Sequence, residues 1–328
     1  MATDTGESSH SMTVNPRHTN KGSYQLPERH LADSLVDGYF NRVHPLYPFL
    51  HKGSFRAEYE ATWTNLPEVP PRPSWYALLN IVCALGCEFC DAIREDSFAV
   101  TATPFVDRCR EIILSHIYRR GNMEIVQTLL LMCHYLQGTL KLNECWNLVG
   151  LMIRTAVSLG LQLNPDTLPL PAVEKEVRKR IWWGCFTIDR TLSMKFGQPP
   201  ALQAADAQIA PFPVAVDDQY ILQHATSVSH LRQPLGRPAV IEFFLHTIKL
   251  SKVINDILQQ LYAPNIKFYS PETQNLLGLE QSRVLSTVLR LDGDLRAWWN
   301  AAPVHLRPQW TAVEGQVFQR QRTVLQIR

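Results

Sequence analysis

The sequence predicts an all-α protein, a large multi-helix bundle of antiparallel helical hairpins. Three observations lead there. Apolar residues recur at helical spacing in one segment after another. Caps and breakers (Asn, Ser, Gly, Pro) stand at the segment ends. No stretch shows the period-two alternation, bounded by turn dipeptides, that a strand would need.

Residues 1–27 are rich in Ser, Thr, Asn, Gly and charge and read as a disordered tail. Leu31, Leu35, Val36, Tyr39, Phe40 and Val43 then form a helical apolar ribbon that must be buried. Pro45 and Pro48 end it and leave a rigid extended segment, His44-Pro45-Leu46-Tyr47-Pro48-Phe49-Leu50. Ser54 can cap a short helix to Thr64, and Pro67, Pro70, Pro71 and Pro73 make a stiff connector. A helix follows over Trp75–Ile93, then one over Thr103–Arg119 with Pro104 in its first turn. Asn122 caps Met123–Gln137, Gly138 stops it, and Asn143–Leu161 completes an antiparallel hairpin with it. Val173–Phe196 is a long helix with Glu174 and Glu176 at its dipole-favoured start and Gly197, Pro199 and Pro200 at its end. Residues 198–237 read as a long surface loop. Helices resume over Pro238–Tyr262, from Ser270 to Asn300 with a break near Gly278, and from about Ala312. The core is expected over about 30–262, with C-terminal helices over 271–328. The last helix keeps Val317, Phe318, Val324, Leu325 and Ile327 to its end without a cap, so packing partners are expected downstream and the chain reads as truncated.

Composition sets limits on function. The chain has 328 residues, 45% of them hydrophobic, enough for a large core without a disulfide or metal staple. Its net charge of +2 lacks the concentrated basic excess of a DNA reader. Seven cysteines, an odd number in apolar helical sequence, suit buried reduced thiols in a reducing compartment. The N-terminus has no signal-peptide run, and the longest apolar runs fall far short of a membrane span of roughly 20 residues.

Each cluster that could carry chemistry has a plainer reading. Cys83, Cys87 and Cys90 share one helix face, but apolar neighbours make a core stripe the better reading than a metal site. Cys133 and His134, adjacent on a helix, point about 100° apart and make a poor catalytic dyad. No His-Glu-x-x-His, Gly-x-Ser-x-Gly, phosphate-cradling Gly-x-x-x-x-Gly-Lys loop or Gly-x-Gly-x-x-Gly occurs, so a non-enzyme is expected. Lys175, Arg178, Lys179 and Arg180 read as a solvated face whose stems cover Trp182 and Trp183. Asp189 and Arg190, set in an apolar stretch, are costly unless paired, and are expected to hydrogen-bond to neighbouring helices and fix their register.

Several of these segments resemble one family. Leu35 through Tyr39-Phe40 to His44-Pro45-Leu46-Tyr47-Pro48-Phe49-Leu50-His51 resembles the opening signature of the fungal-specific transcription factor domain, the middle homology region of fungal binuclear zinc-cluster factors. Asn147-Leu148-Val149-Gly150 through Arg154 and Ala156 to Leu159-Gly160-Leu161 matches its helix with a Gly-Leu stop. Glu176 to Trp182-Trp183, Ile188-Asp189-Arg190, then Gly197 and Pro199-Pro200 form the third match, and Leu295, Trp298, Pro303 and Leu306 a weaker fourth. They stand in the family's order over about residues 30–310.

The resemblance implies a nuclear regulator of RNA polymerase II transcription, serving a metabolic or secondary-metabolite pathway, with no catalytic residues. It implies as partners other transcription-factor segments or coregulators, a small-molecule effector in some members, and a second copy of the chain. In the family a six-cysteine zinc cluster precedes this region. Here no cysteine precedes Cys83, so no cofactor is expected in this chain and DNA would be reached only through such a cluster elsewhere. Gln198 stands where the family most often has Arg. The competing reading is a stand-alone helical protein that binds a small molecule or modulates a full-length relative.

Overall fold

The computed structural model describes residues 24–64, 72–90, 93, 97–116, 121–203, 209–221, 231–262, 277–310 and 315–327. Among these are ten α-helices and no strand. The helices are α1 (Arg29–Gly38), α2 (Lys52–Thr64), α3 (Pro73–Gly86), α4 (Phe98–His116), α5 (Met123–Gly138), α6 (Leu142–Ser158), α7 (Ala172–Phe196), α8 (Glu242–Ile257), α9 (Leu277–Asn300) and α10 (Gln316–Ile327). π-Helical turns extend α1 over Tyr39–Val43 and α8 over Leu258–Tyr262.

Two helices organise the core. α3 is buried at every position except Pro73 and Leu85, as expected of a helix that is apolar all round. It packs against α1, α4 and α5, while α7 packs against α5, α6 and α8. One continuous apolar core runs from Ala32 on α1 to Ile248 on α8. A smaller cluster of Leu46, Phe243, Leu306 and Leu325 seats the C-terminal helix. α10 is anchored by a fully buried Gln321, whose Nε2 donates to the carbonyls of Pro45 and Val240, each at 2.9 Å.

Local physics explains most boundaries. The Asn122 side chain accepts from the Ile125 N–H at 2.9 Å and caps α5 as expected. Residues 139–141 connect α5 to α6, which pack on each other. α3 ends at Gly86, earlier than Ile93, because the chain tightens into a 3-10 turn over Cys87–Phe89. α4 begins at Phe98, not Thr103, so Pro104 lies inside the helix. The N–H that proline lacks would have served the carbonyl of Val100, and that residue is exposed, so water can serve it instead. α9 is described from Leu277, beside the break expected near Gly278, and α10 starts at Gln316. The expected tail reaches residue 27, yet Tyr24 stacks edge-on against Tyr76 at 5.3 Å and Leu26 packs on the core. Residues 1–23, the connector prolines 67, 70 and 71 and the helix start at 270–276 lie outside the described residues.

The largest departure is the segment between α7 and α8. It is irregular, as its prolines dictate, but it is no free surface loop. Leu202, Ala210, Val216, Ile221 and Leu231 are buried in it. No helix among the described residues is long and apolar enough to cross a membrane.

α1 and α3 cross at glycine. A Cβ on Gly86 would lie 2.1 Å from the Leu35 carbonyl oxygen, a backbone atom that cannot step aside. Gly86→Ala is therefore expected to cost about 3 kcal/mol or more by overpacking. Urea unfolding followed by tryptophan fluorescence measures it, and a change within 0.5 kcal/mol (roughly the scatter of neutral surface substitutions) would contradict this crossing.

α9 docks on α8 through Trp298, whose indole donates to the His246 carbonyl at 2.9 Å and stacks on its ring at 4.6 Å. Burial lowers the His246 imidazole to about 4, and that of His305 likewise to about 4. Both are neutral in the fold, whereas in the unfolded chain they protonate near pH 6.5. The unfolded state thus binds more protons between those values, and stability falls as pH drops from about 6.5 towards 4. His246→Phe removes one of these groups, so its urea midpoint is expected to fall less than that of the natural chain between pH 7.5 and pH 5. Parallel losses in the two proteins would show that His246 is not a source of the acid sensitivity.

Candidate functional site

α7 carries the chemistry of the molecule. Its N-terminal half reads as a run of charges, yet Lys175, Glu176, Lys179 and Arg180 are all buried. The expected solvated face is absent because the partners of these charges lie far away in sequence. Arg180 donates to Glu176 one turn back at 3.2 Å, to the Asp218 carboxylate, and to the Val216 carbonyl at 3.4 Å. Lys179 reaches Asp166 at 2.9 Å and fixes the 3-10 turn Pro165–Thr167. Only Arg178 behaves as a helix-surface residue, pairing with Glu174 at 3.2 Å.

Asp218 joins four parts of the chain. Besides Arg180, its carboxylate accepts the Lys52 N–H at 2.7 Å and lies 3.2 Å from His44 Nε2. Its carbonyl lies 3.2 Å from His51 Nε2, whose other ring nitrogen meets Ser54 Oγ at 2.9 Å. Burial alone would raise the Asp218 carboxyl, but the charge of Arg180 and the bond to His44 hold it well below the usual carboxylate range. Burial raises Glu176, partly offset by Arg180 and by the Val214 N–H at 3.0 Å. Over this node lies a cleft of about 510 Å³, bordered by His44, Pro45, Pro48, Lys52, Arg180 and Asp218.

Nine residues further along α7, Asp189 and Arg190 are fully buried and paired with each other. Asp189 accepts the N–H groups of Ala201 at 3.1 Å and Leu202 at 3.0 Å. Arg190 donates to Asn255 Oδ1 on α8 at 2.9 Å and to the Leu202 carbonyl at 2.7 Å, and lies 4.3 Å over the Phe186 ring. The pair thus ties α7 to α8 as expected, but three of its four bonds to the rest of the chain hold the turn after α7 and not a helix. That turn is made by Gly197, at φ +63°, and Pro199. Gly160 ends α6 the same way at φ +68°. The side chain of Gln198 points to solvent, and only its N–H is engaged, at 3.0 Å from the Ser193 carbonyl. Trp182 is wholly buried, and Trp183 donates to the Pro211 carbonyl at 3.0 Å, which seats the long segment.

The motif residues therefore fall in three places. His44, Pro45 and Pro48 border the polar cleft, while Trp182, Trp183, Asp189, Arg190, Gly160, Gly197 and Pro199 are framework. Tyr47 faces elsewhere, stacking on His134 at 3.8 Å in the wall of a second cavity of about 380 Å³ between α5, α7 and α8. Sequence reasoning missed Asp218 and Glu176 as members of the first node, and Gln137, Thr187 and Ser251 in the second wall. Thr187 and Ser251 interrupt apolar helix faces, the one signal that could have found them.

The seven cysteines are all buried. Cys87 Sγ donates to the Cys83 carbonyl at 3.3 Å, and burial pushes the Cys87 thiol up to about 12 and the Cys83 and Cys133 thiols up as well. Among the described residues no group of three or more His, Cys, Asp or Glu could hold a metal ion. These thiols, dispersed through the core, do not fit the six-cysteine zinc cluster that the family resemblance implies.

Removing one partner of a buried pair leaves the other uncompensated, at about 3–5 kcal/mol. Asp189→Asn is expected to lose that much in chemical denaturation and to release the turn at Ala201–Leu202, seen as faster amide exchange there. Unchanged stability would show that the pair does not hold the register.

The chain matches the family model described as the fungal specific transcription factor domain over residues 36–300. It is 28% identical over 250 residues to cutinase transcription factor 1 alpha of Fusarium vanettenii, covering 74% of this chain and 26% of that protein. It is 26% identical over 292 residues to sorbicillinoid biosynthetic cluster transcription factor 2 of Penicillium rubens, covering 88% and 40%. To the lactose regulatory protein of Kluyveromyces lactis it is 30% identical over 210 residues, covering 62% and 22%. The chain thus spans less than half the length of each of these relatives. No solved structure matches. A match running from α1 through α9, on an all-helical core built around its motifs, shows that the chain belongs to the fungal-specific transcription factor domain family.

Proposed function

We propose that this chain is the regulatory domain through which a fungal transcription factor is controlled, and that it acts in the nucleus on the factor's other segments or on coregulators. The observation that carries the reading is the family match over residues 36–300, laid on a single continuous core. The relatives' names speak of cutinase, lactose and a sorbicillinoid biosynthetic cluster, which supports a metabolic or secondary-metabolite pathway as the regulated target. DNA contact falls to a module outside these 328 residues: the net charge is +2 and every cysteine is buried. A helical domain with two concavities bordered by its own motif residues suits a part that senses a small effector and passes its state to neighbouring segments.

Fusing the chain to an unrelated DNA-binding module, upstream of a reporter in a fungal host, tests this. The fusion is expected to change reporter output at least several-fold against the module alone, and the purified chain is expected not to retard duplex DNA at physiological salt. Unchanged output would remove the regulatory reading. Retardation of duplex DNA would remove the division of labour and make the chain a DNA reader itself.

A further inference from the structure

We propose that the cavity between α5, α7 and α8 is a binding site for a small, largely apolar carboxylic acid, which rests on the regulatory reading above and supplies its effector. The cavity measures about 380 Å³, within the range of roughly 300–1,000 Å³ usual for small-molecule sites. About half of its lining is apolar, with Phe49, Ile188, Phe244, Leu250 and Ile254 prominent, and Thr191, Thr247 and Ser251 stand among the polar remainder. An apolar body fits such walls.

Two polar atoms set the first point of recognition. Gln137 Nε2 and Thr187 Oγ1 are shielded from solvent, and neither has a hydrogen-bond partner among the described residues. Both residues line this cavity. An unmade hydrogen bond at a buried donor or hydroxyl costs about 1–3 kcal/mol, so a ligand acceptor that bonds Gln137 on α5 or Thr187 on α7 gains affinity by doing so. Trp182 Nε1 and Ser193 Oγ are also unpaired, but their residues do not line the cavity. Gln137 and Thr187 line the cavity, so a small rotation of either side chain brings its polar atom to a ligand carbonyl or hydroxyl.

Charge sets the second point. No aspartate or glutamate is among the lining residues. The one lysine is Lys195, exposed beside Met194 and near Ile327, which are 47% and 80% exposed and mark the mouth. The remaining titratable rings are Tyr47 and His134, stacked on each other in the wall, with Phe49 packed against both. An anion at the mouth therefore meets a cation and no opposing carboxylate, and an ammonium group meets the reverse.

The site is placed to report its occupancy. Its wall includes Leu46 and Tyr47, next to the Pro45 carbonyl that holds Gln321 of α10, and Ile327 of the same helix borders the mouth. A ligand bridging them stabilises the docked α10.

The test uses the purified 328-residue chain with 4-phenylbutanoate, and with 4-phenylbutanol and 4-phenylbutylamine as neutral and cationic counterparts. Thermal shift and titration calorimetry are expected to rank acid above alcohol above amine, and hydrogen exchange to show added protection of α10 with the acid. Thr187→Val and Gln137→Leu remove unpaired groups, so both are expected to fold with an unchanged or raised Tm yet bind the acid about five- to tenfold more weakly, the loss of one hydrogen bond. Lys195→Ala is expected to erase the preference for acid over alcohol and leave alcohol binding as it was. The proposal is overturned if millimolar acid leaves the Tm of the natural chain unmoved, if the three variants bind it equally well, or if the amine ranks first. These measurements involve no DNA or reporter, so a failure here leaves the reporter result standing, and a failed reporter leaves this binding result standing.

Discussion

Two arginines inside α7 constrain the rest of the fold. Arg180 and Arg190 are wholly buried, and a buried guanidinium must be met by acceptors on nearly every donor or it costs several kcal/mol. α7 cannot meet them itself, since its backbone carbonyls are already used in the helix. Beyond Glu176 and Asp189 on α7 itself, the acceptors come from the segment after it, through Asp218, the carbonyls of Val216 and Leu202, and from Asn255 on α8. The irregular stretch between α7 and α8 is therefore folded back along the helix by electrostatics, and its apolar residues follow into the core.

This constraint reaches the N-terminal third. Asp218, drawn in by Arg180, is also the acceptor for Lys52 N–H and the partner of His44. The His44–Leu50 segment, expected to be extended throughout but opening with a turn over residues 44–46, is thereby held between α7 and the start of α2. Its position in turn decides α10, because the Pro45 carbonyl is one of two acceptors for Gln321. A chain of polar contacts thus runs from the middle of α7 to the last helix.

The sequence made the helices legible because helical burial writes a local signature. Asn122, Gly160, Gly197 and the ribbon from Leu31 to Val43 are all read within a few residues of themselves. Asp189 and Arg190 were recognisable as a buried pair because charges stand out in an apolar run. What was not legible is whatever depends on a distant partner. Lys179 and Arg180 look like any solvated helix face, since Asp218 stands 38 residues further on in a stretch without periodicity. Pro104 looked like a helix start because the sequence does not show that the carbonyl it orphans, that of Val100, belongs to an exposed residue. The cavity had no signature at all, being formed by residues from 46 to 327 that meet only in the folded chain.

The accounting of polar atoms separates framework from recognition in this molecule. At Asp189–Arg190 and at Arg180–Asp218 the charged groups find partners within the chain, so their charges are spent on holding the fold. They make the fold specific. The wall between α5, α7 and α8 differs: it has room, a lining about half apolar, and in Gln137 and Thr187 polar atoms with no partner among the described residues. Gly184 of α7 makes the point locally. A Cβ there would fall 2.5 Å from the Phe49 ring and 2.8 Å from Leu130, so α7, α5 and the proline-stiffened segment already touch at the cavity's edge, and the open volume beside them is not slack in the packing.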